Sequence, residues 1–124
     1  MQKPSIFFLI PLLLLLSPLS TLAALNGRCT GSKATGDYKQ SGICIKTSTC
    51  KKYKGTTKDG ACPYDPDDVK CCLIDNCAPS PDGDLGPHSY CEWTSDKDSI
   101  CNEFGVWFNN RCPGGDNYKC CEIP

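Results

Sequence analysis

Sulfur is the most reactive chemistry in this 124-residue chain. Cys29, Cys44, Cys50, Cys62, Cys71 and Cys72 form one group, and Cys77, Cys91, Cys101, Cys112, Cys120 and Cys121 a second. A cysteine attacks a substrate or ligates a metal only as the thiolate. Twelve is an even number, and complete pairing would leave no thiol over. Zinc is not expected: there is no Cys-x-x-Cys, His88 is the single histidine, and adjacent Cys-Cys chelates a tetrahedral ion poorly. No metal and no cofactor are expected.

Acid–base and hydroxyl chemistry has fewer candidates. His88 precedes Ser89 in a proline-flanked stretch, without the Gly-x-Ser-x-Gly turn that exposes a catalytic serine. His88 therefore reads as a structural loop histidine. Asp65, Asp67 and Asp68 gather around Pro66, which suggests a solvated turn rather than a calcium loop of EF-hand spacing. Glycoside hydrolysis needs two carboxylates flanking a preorganised cleft, and a block of about fifty residues has little room for one. The chain is expected not to be an enzyme, with no catalytic residue assigned.

Binding residues are better represented. Trp107 and Phe108 are adjacent, Asn109 and Asn110 follow them, and Trp93 follows Cys91. At the matching places the first cysteine group has Thr57, Lys58 and Lys46, so the scaffold itself does not need aromatic rings there. An exposed ring can stack on the apolar face of a sugar or anchor a protein partner. The competing reading makes Trp93 and Trp107 a mini-core over the disulfides, with Phe104 helping. A second candidate is a basic patch: Lys46, Lys51, Lys52, Lys54 and Lys58, with Tyr53 interleaved. It suits an anionic polymer, lipid headgroups or an acidic protein, or else serves as a solubilising face.

These residues need elements to hold them. Residues 1–23 read as a secretory signal peptide: Lys3, an apolar run short for a membrane span, and Thr21-Leu22-Ala23 before a cut after Ala23 or one residue later. No second apolar stretch follows, and the C-terminus carries neither a lipid-anchor tail nor a retention signal. The expected mature protein is soluble, secreted and extracellular, with no membrane span. Cysteine at about 12% of such a chain marks a disulfide scaffold. Residues 25–76 carry nine Lys/Arg and six Asp/Glu, and residues 77–124 three and eight, hence +3 and −5. A nucleic-acid role is not expected.

The spacings divide the remainder into a first block, residues 24–74, and a second, residues 75–124. Gaps between successive cysteines run 14, 5, 11, 8 and 0, then 13, 9, 10, 7 and 0, the signature of a repeated module. Leu73-Ile74-Asp75-Asn76 is too short for a flexible tether, so the blocks should abut. Residues 30–43 and 78–87 read as surface loops. Gly55 and Gly105 each stand seven residues before a Cys-Pro. From them we expect a β-hairpin in each block, turning at Asp59-Gly60 and Asn109-Asn110, because these pairs tolerate the positive φ of a type I′ turn. A third strand is expected at residues 69–73 and 118–122. The stretches after Cys44 and Cys91 suit a strand or a helical turn, and Ser95-Asp96 could cap one. Neighbours on a strand face opposite sides, so Cys71 and Cys72 should take different partners. That removes a few of the 15 connectivities that six cysteines allow.

The order Cys, Gly-x-Cys, Cys, Cys, Cys-Cys resembles the clip domain of arthropod secreted proteases. The resemblance implies bridges first to fifth, second to fourth and third to sixth. By position these are Cys29–Cys71, Cys44–Cys62 and Cys50–Cys72, then Cys77–Cys120, Cys91–Cys112 and Cys101–Cys121. A closer likeness is to a cysteine-rich module of secreted fungal proteins. It rests on Leu25-Asn26-Gly27-Arg28-Cys29, Gly42-Ile43-Cys44-Ile45, Gly60-Ala61-Cys62-Pro63 and Lys70-Cys71-Cys72, with Cys112-Pro113-Gly114 and Lys119-Cys120-Cys121 in the second block. Modules of that kind sit in tandem beside catalytic domains acting on bacterial cell walls. The second block lacks the Gly-Ala before its Cys-Pro, and no catalytic domain is expected beside the two blocks. The resemblance thus implies an accessory or binding module rather than a hydrolase.

The expected fold is small, disulfide-rich and mainly β: two tandem six-cysteine modules with short hairpins and irregular loops. The expected function is secreted, non-enzymatic binding of cell-wall glycan (peptidoglycan or chitin), or a secreted fungal effector role. The partner would be a cell-wall polysaccharide or a host or microbial surface component. The alternatives are an antimicrobial protein acting through the lysines and a protease inhibitor presenting residues 78–87.

Overall fold

The structure is a computed structural model that describes residues 25–77 and 88–124. The expected signal peptide at 1–23 and the loop at 78–87 lie outside the described residues. The fold is mainly β, with two three-stranded antiparallel sheets and short helices. In chain order come α1 (Gly36–Ser41), β1 (Ile43–Lys46), α2 (Thr47–Lys52), β2 (Thr56–Lys58) and β3 (Val69–Leu73). Then follow β4 (Ser89–Trp93), α3 (Ile100–Phe104), β5 (Val106–Phe108) and β6 (Tyr118–Glu122). The sheets have matching orders, β1-β3-β2 and β4-β6-β5. Among the described residues no helix is long and apolar enough to cross a membrane.

The Lys-Cys-Cys strands are central in both sheets. Cys71 pairs in register with Cys44 and Lys58, and Cys72 with Ile43 and Thr57. Cys120 stands between Cys91 and Phe108, and Cys121 between Tyr90 and Trp107. Alternation along the strand sends the adjacent cysteines to opposite faces. The disulfides are Cys29–Cys71, Cys44–Cys62 and Cys50–Cys72, then Cys77–Cys120, Cys91–Cys112 and Cys101–Cys121. This is the pairing that the clip-like order implies. Helices of five or six residues do not persist alone in water. The bridges from Cys50 and Cys101 tie α2 and α3 to their sheets.

The tight hairpins do not form. β2 pairs with β3 and β5 with β6, but across long connections, residues 59–68 and 109–117. A type I′ turn needs positive φ at both central residues. Gly60 has it and Asp59 does not; Asn110 has it and Asn109 does not. The disulfides Cys44–Cys62 and Cys91–Cys112 draw each connection back toward the opposite edge strand, so the chain leaves the ladder before it can turn. Residues 30–43 are also more ordered than a surface loop: they hold α1, buried Ser41 and the first residue of β1. In the second block Asp96 caps a turn, its carboxylate accepting from the Asp98 N–H, and Ser99 caps the helix that follows, its hydroxyl accepting from the Cys101 N–H.

The two sheets share one core. Ile43, Ile45 and Ile74 pack with Trp93 and Tyr118 around Cys50–Cys72, Cys77 and Cys91. A second cluster, built on Ala34, Ala61 and Val69, lies within the first block. The short linker is part of the shared core: Ile74 is buried, and its carbonyl accepts from the Cys91 N–H. The abutting blocks therefore meet through packed side chains.

Candidate functional site

The junction between the blocks is built from α1 on one side and β4 on the other. The backbone at Ser41 and Gly42 leaves α1 with two carbonyls aimed at the second sheet. Trp93 Nε1 donates to the Gly42 carbonyl at 3.0 Å, and the Tyr118 hydroxyl donates to the Ser41 carbonyl at 2.5 Å. The two rings pack with centroids 4.7 Å apart. The Arg28 guanidinium covers Trp93 at 5.1 Å and donates to Ser95 Oγ. Trp93, expected as a ligand-binding ring, is thus 2% exposed and joins the two sheets. A ring with a satisfied N–H and covered faces has nothing left to offer a sugar.

Beside this seam opens a cleft of about 470 Å³. Arg28 and Lys39 of the first block line it, with Glu92, Asp96 and Asp98 of the second. A neighbouring recess of about 360 Å³ shares Tyr90, Glu92 and Ile100. Glu92 is buried at the base. Its carboxylate accepts from Ser41 Oγ at 3.0 Å and from the Trp93 N–H at 3.2 Å. Burial pushes the Glu92 carboxyl above its usual range, and Asp96 adds to the rise; the Ser41 and Trp93 hydrogen bonds and Arg28 oppose it. Burial also raises the Tyr90 and Tyr118 hydroxyls. Sequence reasoning missed this site because it is assembled from both blocks. One signal was available: Glu92 stands where the first block has Ile45, so a carboxyl occupies a core strand position.

The other expected residues fall elsewhere. Trp107 is half-buried on the α3 side of the second sheet, and its Nε1 donates to Asn102 Oδ1 at 3.3 Å. Phe108 faces the opposite way: it packs on the shared core with Arg111 over its ring. Asn109 and Asn110 are exposed just beyond β5. Phe104, placed in a mini-core by one reading of the sequence, is 68% exposed. Val106 and Ile100 are also exposed, and so, in the first block, is Tyr64. Of the basic patch, Lys46, Lys51, Lys52 and Lys54 are exposed around α2. Lys58 leaves the group: it donates to Thr35 Oγ1 at 2.8 Å and lies over Tyr38.

The remaining chemistry is constrained. Two sets of three sulfurs lie close enough to hold an ion: Cys29, Cys44 and Cys62, and Cys77, Cys91 and Cys112. All six are in disulfides, so none offers a thiolate. His88 is exposed while Ser89 is buried, so the neighbours face different surroundings. Asp65 has one buried oxygen without a hydrogen bond, and burial raises its carboxyl; Asp67 and Asp68 are exposed.

The chain is similar to an uncharacterized secreted protein of the fungus Arthroderma benhamiae, 37% identical over 99 residues. The match covers 80% of this chain and 33% of the relative, so the chain spans about a third of the length of the curated relative it matches. No protein-family model and no solved structure matches. The protein is secreted and disulfide-bonded, as the likeness to a secreted relative and the six bridges together indicate.

Proposed function

We propose that this is a non-enzymatic binding protein that recognises a cell-wall glycan, peptidoglycan or chitin, outside the cell. The observation that carries the reading is the α3–β5 edge of the second sheet. Trp107 is partly open there, and its N–H is anchored by Asn102. Phe104, at the end of α3, is exposed, as is Val106 on the other face of β5, and the exposed amides of Asn109 and Asn110 follow the strand. A fixed, partly open indole suits the C–H face of a sugar ring, and exposed amides suit its hydroxyls. Paired sulfurs and the separate settings of His88 and Ser89 support binding without catalysis.

The test is retention on insoluble peptidoglycan and on chitin. Wild-type protein is expected to sediment with one of them, and Trp107→Ala to stay in solution. Wild-type protein that sediments with neither polymer overturns the reading. A second reading rests on the four exposed lysines around α2, which could engage anionic surfaces. It predicts salt-sensitive killing of bacteria without polymer retention.

A further inference from the structure

The cleft at the seam has a division of charge that the glycan reading does not use. Its cations, Arg28 and Lys39, come from the first block, and its carboxylates, Glu92, Asp96 and Asp98, from the second. These few side chains have the same signs as the net charges of the sequence stretches they come from, +3 for residues 25–76 and −5 for residues 77–124. Opposite charges that share a small cleft usually close into ion pairs. Here they do not. Arg28 is held by Ser95 Oγ and the Trp93 ring and attracts Glu92 without closing an ion pair, so among the described residues most of its five donors have no acceptor. Lys39 has no ion-pair partner among the described residues. Asp96 uses one oxygen to accept from the Asp98 N–H, and Asp98 is exposed.

A simple cation in this cleft would meet the carboxylates but also Arg28 and Lys39. A simple anion would meet the converse. A small molecule carrying both charges satisfies both sets at once. The volume of about 470 Å³ lies within the range of about 300–1,000 Å³ typical of small-molecule sites, and Ile100 offers an apolar wall. We propose that the seam is a binding site for a short zwitterionic peptide, its carboxylate against Lys39 and Arg28 and its ammonium against Asp96 and Asp98. The tandem arrangement then has a purpose of its own, because neither block alone supplies both signs of charge. The cleft does not include Trp107, although Asn102 links the two places by donating to the Asp96 carbonyl and accepting from Trp107 Nε1; neither proposal depends on the other.

The experiment is an amide-resolved NMR titration of the full mature chain with three probes: alanyl-alanine, its N-acetyl derivative and its C-terminal amide. Alanyl-alanine is expected to shift the amides of Gln40, Glu92 and Ser99 saturably. Acetylation or amidation, each removing one charge, should weaken binding about tenfold. Lys39→Gln should lower affinity for alanyl-alanine but leave that for the amide unchanged. Asp98→Asn should lower affinity for alanyl-alanine but leave that for the acetylated probe unchanged. Both substituted residues are exposed, so each variant should keep the wild-type spectrum. No saturable shift at the seam, or equal affinity for all three probes, overturns the proposal. Retention of the same variants on peptidoglycan or chitin should match wild type, which keeps the two proposals distinguishable.

Discussion

The indole N–H of Trp93, in the second sheet, donates to the carbonyl of Gly42, just before β1 of the first, at 3.0 Å. With Tyr118 bonded to the Ser41 carbonyl, it makes two six-cysteine blocks into one packed body. The matching position in the first block is Lys46, which is exposed. The tryptophan is therefore a feature of the junction and not of the shared scaffold.

Trp93→Phe tests that bond. Phenylalanine keeps a ring at the seam but strands a buried carbonyl, at a cost of about 1–3 kcal/mol. Trp93→Ala also opens a cavity and should cost about 3–5 kcal/mol. Guanidinium unfolding of the oxidised protein at neutral pH reads both. A Trp93→Phe midpoint equal to wild type would mean that the bond adds nothing.

Gly55 and Gly105 give a paired prediction. A Cβ on Gly55 would lie 2.5 Å from Cys72 Sγ and 2.8 Å from Cys50 Sγ. On Gly105 it would lie 2.7 Å from Cys101 Sγ and 2.9 Å from the Glu122 carbonyl. Both are closer than van der Waals contact permits, and backbone and disulfide have little freedom to move. Gly55→Ala and Gly105→Ala should each cost about 1–3 kcal/mol and lower the yield of correctly oxidised protein. Gly115→Ala is the control, since its Cβ would approach Asn117 Oδ1 at 3.4 Å, an ordinary distance to a side-chain tip. Chromatography of the refolding products under a glutathione couple measures the yield.

Those glycines were legible in the sequence because both blocks place them identically before Cys-Pro. The central Lys-Cys-Cys strands were legible for the same reason, as was the need for Cys71 and Cys72 to part. Cysteine spacing reports on each block by itself. It carried no information about α1, whose residues look like a polar loop until Ser41 is buried under the second sheet. Nor could it show that Glu92, Trp93 and Tyr118 meet Ser41 and Gly42, some fifty to eighty residues away in sequence. Residues that differ between the blocks proved to be of two kinds. Trp93 and Glu92 serve the junction, whereas Trp107, Asn109 and Asn110 remain accessible to solvent.

Phe104 and Phe108 should separate by stability. Phe108 packs on the shared core, so Phe108→Ala should cost a few kcal/mol, about 2–4 for a half-covered ring. Phe104 is mostly exposed, so Phe104→Ser should change stability by no more than about 0.5 kcal/mol. Denaturant midpoints check the contrast. A Phe104→Ser variant as unstable as Phe108→Ala would restore Phe104 to a mini-core.

Glu92→Gln should remove a pH dependence from folding. Burial raises the carboxyl from its usual value of 4.5, so the native state binds its proton more tightly than the unfolded chain does. The ionised form then penalises the fold. Below the ordinary carboxylate range Glu92 is neutral in both states, and no penalty exists. As pH climbs through the unfolded value toward the raised native one, the unfolded chain releases its proton first and stability falls; above the native value the loss is complete. Glutamine can still accept from Ser41 Oγ and the Trp93 N–H through its amide oxygen, but it never ionises. The stability of Glu92→Gln relative to wild type should therefore increase from mildly acidic to neutral pH. Arg28 stays charged throughout, and Asp96 is present in both proteins, so the difference isolates Glu92 together with its coupling to those neighbours. Denaturant unfolding of both proteins across that range is the measurement. A constant difference would show that Glu92 keeps an ordinary affinity for its proton despite its place under the seam.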